Sequence, residues 1–100
     1  MEITRFSFLK NLSELSFVDA IVLYGSRARG DHHDRSDIDL AIVCPAATDQ
    51  NWFQVLDIIE KADTLLKIDC VRLDTLSANN TLRASIKKDG IYLYKKEKKK

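Results

Sequence analysis

The 100-residue chain is short of the residues that usually punctuate or cross-link a small protein: three glycines, one proline and two cysteines. So few turn formers exclude a collagen-like or low-complexity chain, and 45% hydrophobic residues exclude a disordered one. Cys44 and Cys70 each lie in an apolar strand-like run, without metal-ligand spacing. They read as buried thiols rather than a disulfide framework, as in a reducing cytoplasm, where the chain is expected to reside. No apolar run approaches the ~20 residues of a membrane span, and no secretory leader pattern opens the chain, so no membrane role is expected. The charge shows no distributed basic excess. The net charge is +1, yet the last six residues hold five lysines, and without them the balance is −3. That argues against a nucleic-acid-binding domain and sets 95–100 apart as a solvated, disordered tail following a single domain at 1–94.

What the chain does have is a pair of aspartates two residues apart at the start of an apolar run, Asp37-Ile-Asp39-Leu-Ala-Ile-Val43. Side chains alternate along a strand, so Asp37 and Asp39 share a face with Ala41 and Val43, while Ile38, Leu40 and Ile42 take the other. Two carboxylates ~4 Å apart repel by roughly 4 kcal/mol at an effective dielectric near 20. A proton, solvent exposure or a bound divalent cation relieves that repulsion, and oxygen-rich sites suit Mg²⁺ or Mn²⁺.

Upstream, the apolar run Ala20–Tyr24 ends at Gly25-Ser26, where glycine permits a sharp bend. Ser26 is expected to cap a short helix beginning at Arg27. The helix start, with Arg27 and Arg29 beside it, favours an anion. Two other phosphate or metal motifs fail here. Gly25 and Gly30 have P-loop spacing, but Asp31 and His32 stand where Lys and Ser/Thr belong. Asp34–Asp39 resembles an EF-hand start without its glycine. His32 and His33 read as solvated loop residues, since no third histidine completes a metal set.

Gly25-Ser26, ten intervening residues, then Asp37-x-Asp39 resembles the signature of the DNA polymerase beta-like nucleotidyltransferases. The fuller Gly-Ser-Arg-Ala-Arg-Gly…Ser-Asp-Ile-Asp-Leu is similar to their minimal nucleotidyltransferase (MNT) branch, and the resemblance covers roughly Val18 to Tyr94. It implies an α/β (α+β) fold, with a small mixed sheet of about four strands flanked by helices. It also implies transfer of a nucleoside monophosphate, AMP from ATP, onto a hydroxyl. Gly25, Ser26, Arg27 and Arg29 would bind the nucleotide, and Asp37, Asp39 and Asp69 would be catalytic and hold two Mg²⁺ ions, with Mn²⁺ as the substitute. MNT proteins are commonly paired with a helical HEPN-type protein, which they modify as antitoxins. A HEPN-type partner is therefore expected, with a homodimer as a further possibility. A small-molecule, antibiotic-type nucleotidyltransferase and an inactive module acting by contact alone are the competing readings.

The remaining chain is read from periodicity. Ile3, Phe6, Leu9, Leu12 and Leu15 predict a helix over 3–15 whose apolar face either packs on one side of a sheet or serves a partner or homodimer contact, and Phe17–Tyr24 predicts the first strand. Thr48-Asp49 starts a second helix reaching to Leu66, and a strand–helix–strand unit favours a parallel pair. Trp52 reads as core. The strand Lys67–Leu73 carries Asp69 between Ile68 and Cys70, a poor core residue unless paired or metal-bound, with Asp74 as a nearby competitor for its role. A helix over 81–88 is expected to end at Gly90 as a left-handed cap, before a last strand, Ile91–Tyr94.

Overall fold

The computed structural model describes residues 6–96. Four strands form one sheet in the order β3-β2-β1-β4, with β1 Ala20–Tyr24, β2 Ile38–Val43, β3 Ile68–Arg72 and β4 Ile91–Lys95. The helices are α1 Ser7–Ser13, α2 Ser26–Arg29, α3 Asp49–Glu60 and α4 Thr81–Asp89, with a 3-10 turn at Leu73–Thr75. β1 runs antiparallel to both β2 and β4, whereas β2 and β3 are parallel and joined through α3. This is the mixed α/β sheet the sequence predicts.

Alternation along the strands divides the core in two. Ile38, Leu40 and Ile42 of β2 and Ile21 and Leu23 of β1 face α1 and α3, packing on Phe8, Leu12 and Val55. Val22, Tyr24 and Ala41 face the other way, against Ile86 of α4. Both faces of β1 are thus covered and all five of its residues are buried, which accounts for its unbroken apolar run. Each fully buried Ile or Leu contributes about 1.5–3 kcal/mol.

Local chemistry sets the helix ends. Thr48 Oγ1 accepts from the Asn51 amide at 3.1 Å while Asn51 Oδ1 accepts from the Thr48 amide at 2.9 Å, a reciprocal capping box. α3 then stops at Glu60, short of Leu66, but Ala62 and Leu66 still pack on the core as the chain turns back to β3. The helix–sheet period continues although the helix does not. β1 likewise starts at Ala20 rather than Phe17.

Three expectations are narrowed or corrected. Of the two roles expected for the apolar face of the first helix, packing on the sheet is the one observed and contact with a partner is not: Phe8, Leu9 and Leu12 are buried within the protein's own core, and Ile3 lies outside the described residues. Among the described residues, the large apolar side chains left to solvent are Phe53, Leu56, Leu65, Ile91 and Tyr92. The ordered body also continues past Tyr94. Lys95 completes β4, and the Lys96 amide donates to the Asp19 carbonyl at 2.8 Å; 97–100 lie outside the described residues.

Gly90, thirdly, is not a left-handed cap. Its backbone is extended, φ −65° and ψ 144°. Glycine is needed there for space: a Cβ would collide with the Ile86 carbonyl oxygen and stand 2.6 Å from Val22 Cγ1. The α4–β4 corner is pressed directly onto β1. Gly90→Ala is therefore expected to lower stability by about 1–3 kcal/mol, the usual cost of overpacking, in urea unfolding followed by circular dichroism. An unchanged midpoint would show that the corner can open without penalty.

Candidate active site

β1, β2 and β3 meet at one end of the sheet, where the C-terminus of β1 lies beside the N-termini of β2 and β3. There the antiparallel register sets Tyr24 opposite Asp39, and the parallel register sets Asp39 opposite Asp69. Asp37 precedes β2 by one residue. Because Ile38 and Leu40 are committed to the α1/α3 side, Asp37 and Asp39 belong to the other face, and Asp69 follows between Ile68 and Cys70, which pack with that core. Three carboxylates thereby share one face and one end of the sheet. Asp74, the competitor, is elsewhere: its Oδ2 accepts from the Cys44 amide at 2.6 Å, at the far end of β2.

Gly25 shapes the space beside them. Its backbone has φ +74°, a conformation that side-chain-bearing residues rarely adopt, and a Cβ there would collide with Asp39 Oδ2 and lie 3.2 Å from Asp39 Cγ. The turn and the carboxylate occupy complementary volume. Gly25 itself is the N-cap of α2 and Ser26 its first helical residue. This corrects the expectation that Ser26 is the cap: the cap makes no side-chain hydrogen bond, and the Ser26 hydroxyl is not used for it. The sequence could not show this, because the helix start is decided by the φ of Gly25.

The two arginines of α2 part company. Arg27 is buried, 8% exposed, and donates to the carbonyls of Ser36 and Asp34. Arg29 is solvent-exposed and pairs with Asp31 at 3.1 Å. The polar loop at 31–35 is exposed; within it the Ser36 hydroxyl accepts from the His33 amide at 2.8 Å, which leaves the histidines as loop residues. Two neighbours of the carboxylates escaped sequence reasoning. Lys67 lies 3.7 Å from Asp69 Oδ1, and Tyr24 is paired beside Asp39 in the sheet. Both sit directly next to residues already singled out, and only the pairing of strands reveals that they matter.

Electrostatics follow from this crowding. Partial burial, then Asp69, then Asp37 push the Asp39 carboxyl above its ordinary value, and Arg29 and Lys67 offset this only in part. Burial, followed by the charges of Asp39 and Asp69, pushes the Tyr24 phenol up to about 12, so it stays neutral. An all-oxygen donor set with excess negative charge fits a hard divalent cation. The side chains are not drawn into a finished cage, however. Among the described residues no group of three or more His, Cys, Asp or Glu side chains is arranged to hold a metal ion, and Asp69 is turned to Lys67. The strands bring the three carboxylates to one face without converging them on a point.

Comparison with known proteins is consistent with this geometry. The family model described as polymerase beta, nucleotidyltransferase matches residues 8–99. A protein of Methanocaldococcus jannaschii, described as a protein adenylyltransferase, is 30% identical over 86 residues, 84% of this chain and 85% of that protein. A mutant of the toxin–antitoxin MntA-HpeT superposes with a TM-score of 0.62 at 24% identity, covering 91% of this chain and 69% of that one. A toxin–antitoxin structure with AMP-PNP gives 0.60 at 23% identity, covering 91% and 70%. A protein of Sulfolobus solfataricus described as a nucleotidyltransferase gives 0.58 at 22%, covering 92% and 78%. At these identities the solved structures establish the fold.

The raised Asp39 carboxyl has a consequence for stability. A carboxyl whose pKa rises on folding favours the folded state when protonated; that contribution is present below the ordinary value of 3.8 and is lost as pH rises through the folded value. Asp39→Asn removes the charge, so the metal-free variant is expected to be more stable than the wild type near pH ~7, with the advantage gone near pH ~3. Urea titrations at the two pH values measure this. A variant less stable at neutral pH would mean that the carboxylates do not repel one another.

Proposed function

We propose, from the premise that this chain belongs to the polymerase beta nucleotidyltransferase family and is an adenylyltransferase-like enzyme, that it moves AMP from ATP onto a hydroxyl of a partner protein. The observation that carries the reading is the register that sets Asp39 against Asp69, with Asp37 two residues before it and the Gly25–Ser26 turn packed on Asp39. Mere contact with a partner does not require three carboxylates on one face.

In the proposed reaction the acceptor oxygen attacks the α-phosphorus of ATP, the bond from that phosphorus to the bridging oxygen breaks, and pyrophosphate leaves. Asp37 and Asp39, with Asp69 on the acceptor side, would hold two Mg²⁺ ions, or Mn²⁺. Bound there, the ions would neutralise triphosphate charge and stabilise the entering and leaving oxygens. Asp69 takes the acceptor's proton, and it is the carboxylate that already shares itself with a cation, Lys67. Ser26, whose hydroxyl is not spent on capping, and the first amides of α2 take the phosphates. Arg29, exposed and close enough to act on Asp39, adds positive charge. The phenol of Tyr24 stays protonated and adds no negative charge to the site.

The acceptor is proposed to be a HEPN-type helical protein, modified at a hydroxyl such as a tyrosine's. Two findings support a protein acceptor: the relative described as a protein adenylyltransferase, and the toxin–antitoxin assemblies among chains of this fold. Because the helix α1 face is buried, the partner would have to meet another surface.

A label-transfer assay tests the reading. The chain is incubated with Mg²⁺ and α-labelled ATP, with and without the HEPN-type protein encoded beside it. Label is expected on the neighbour, falling about a thousandfold in the Asp37→Asn/Asp39→Asn variant, the effect of losing ~4 kcal/mol of transition-state stabilisation. Robust labelling of an aminoglycoside by the chain alone would instead establish a small-molecule enzyme. A neighbour neutralised equally well by the double variant would establish a contact-only module.

A further inference from the structure

Arg27 is the one charged or polar residue among the described residues that is buried as a whole, and it stands on the helix that opens the site. Its hydrogen bonds run to main-chain carbonyls. Nε and Nη2 donate to the Ser36 oxygen at 3.3 and 2.9 Å, and Nη2 also donates to the Asp34 oxygen at 3.1 Å. Ser36 is the residue immediately before Asp37. The loop it closes, from Asp31 to Arg35, is exposed and holds no regular element. Apart from this clamp, that loop is held by a tight turn, in which the Ser36 amide donates to the His33 carbonyl at 3.0 Å and the His33 amide returns a bond to the Ser36 hydroxyl.

Asp37 is therefore flanked by two anchors. Behind it, the Ser36 carbonyl is gripped by Arg27. Ahead of it, the Ile38 amide donates to the Lys67 carbonyl at 2.8 Å, the bond that starts the β2–β3 pairing. A guanidinium suits the first task because its planar fork reaches two carbonyls at once, which a lysine ammonium, a point charge on a flexible stem, does not. The contrast with Arg29 is direct: that residue is exposed, bonded only to exposed Asp31, and free to turn to an incoming anion.

We infer that Arg27 is a positioning residue, whose guanidinium fixes the Asp34 and Ser36 carbonyls so that Asp37 is held in place beside Asp39, and that it is not a ligand of the triphosphate. This rests on the reading of Asp37 and Asp39 as cation ligands. Residues that orient metal ligands commonly account for roughly 10–100-fold in metal affinity.

The test separates the two roles of an arginine near a phosphate. Arg27→Met keeps the buried stem and removes the donors; Arg27→Lys keeps the charge, and serves alone if the methionine variant fails to fold. Mn²⁺ binding without nucleotide, followed by electron paramagnetic resonance, is expected to weaken at least ~10-fold in both variants. ATP binding without divalent cation is expected to be unchanged, whereas Arg29→Met weakens it. Amide exchange at residues 34–37 is expected to accelerate in the Arg27 variants alone. Intact Mn²⁺ binding with weakened metal-free ATP binding would overturn the inference and make Arg27 a phosphate ligand. Wild-type protein that binds no Mn²⁺ would overturn the cation-ligand reading and the inference with it. Unaltered amide exchange in variants of a Mn²⁺-binding protein would overturn the inference alone.

Discussion

Like charges held on neighbouring strands are the constraint on which the site end of this protein turns. Asp39 faces Asp69 across the parallel β2–β3 pair, and Asp37 lies just before β2. Asp69 and Asp37 both push the partly buried Asp39 carboxyl above its ordinary value, and the strands could relieve that repulsion by slipping out of register. The hydrophobic face forbids the slip. A shift of one residue would turn Ile38, Leu40 and Ile42, all fully buried, toward the opposite side and place Asp39 in the core. A slip would forfeit those three burials, at about 1.5–3 kcal/mol each, to relieve a repulsion that solvent already screens at the half-exposed Asp69. The core thus fixes the charges in place: the buried face of β2 determines where the carboxylates of the opposite face stand.

Two glycines carry the close approaches that this arrangement demands, for different reasons. Gly25 combines φ +74° with a wall made by the Asp39 carboxylate, so conformation and space both exclude a side chain. Gly90 has an ordinary extended backbone and is excluded from carrying a side chain by packing alone, where α4 turns into β4 over Val22. Gly25 lets the turn at the start of α2 and the Asp39 carboxylate share one small volume. Gly90 seats α4 on the face that continues the carboxylate row through Ala41, closing that side of the sheet with Ile86.

Much of this was legible because it is periodic or local. The alternation of β2 announced which side Asp37 and Asp39 occupy, and the strand–helix–strand pattern announced the parallel pair that brings Asp69 to them. The Thr48 cap was readable from the chain itself. What was not legible depends on partners far along the sequence or on a single backbone angle. Arg27 and Arg29 are two residues apart and alike in chemistry; only the carbonyls of Asp34 and Ser36, seven and nine residues on, separate a buried brace from an exposed cation. The role of Ser26 turned on the φ of Gly25, and that of Gly90 on the position of Val22, across the sheet. The first helix left two roles open for a related reason. An apolar stripe states that a surface will be covered without stating by what, and here the cover is the protein's own sheet.

The charges available within the chain do not balance the carboxylates. Arg29 is shared with Asp31, and Lys67 meets Asp69 at 3.7 Å with 70% of its side chain exposed. Exposed pairs of this kind are worth about 0–1 kcal/mol and weaken further with salt. Tyr24 contributes no charge of either sign, since burial and the neighbouring carboxylates hold its phenol neutral. Arg27, the buried cation nearby, is committed to main-chain carbonyls. The negative excess is therefore structural, built in by register and left unmatched by fixed positive groups. Under the proposed function that imbalance has a use: oxygen donors on one face of a sheet suit a hard divalent cation, which would supply the missing positive charge. In that proposal the repulsion that raises the Asp39 carboxyl is also what a bound cation would relieve.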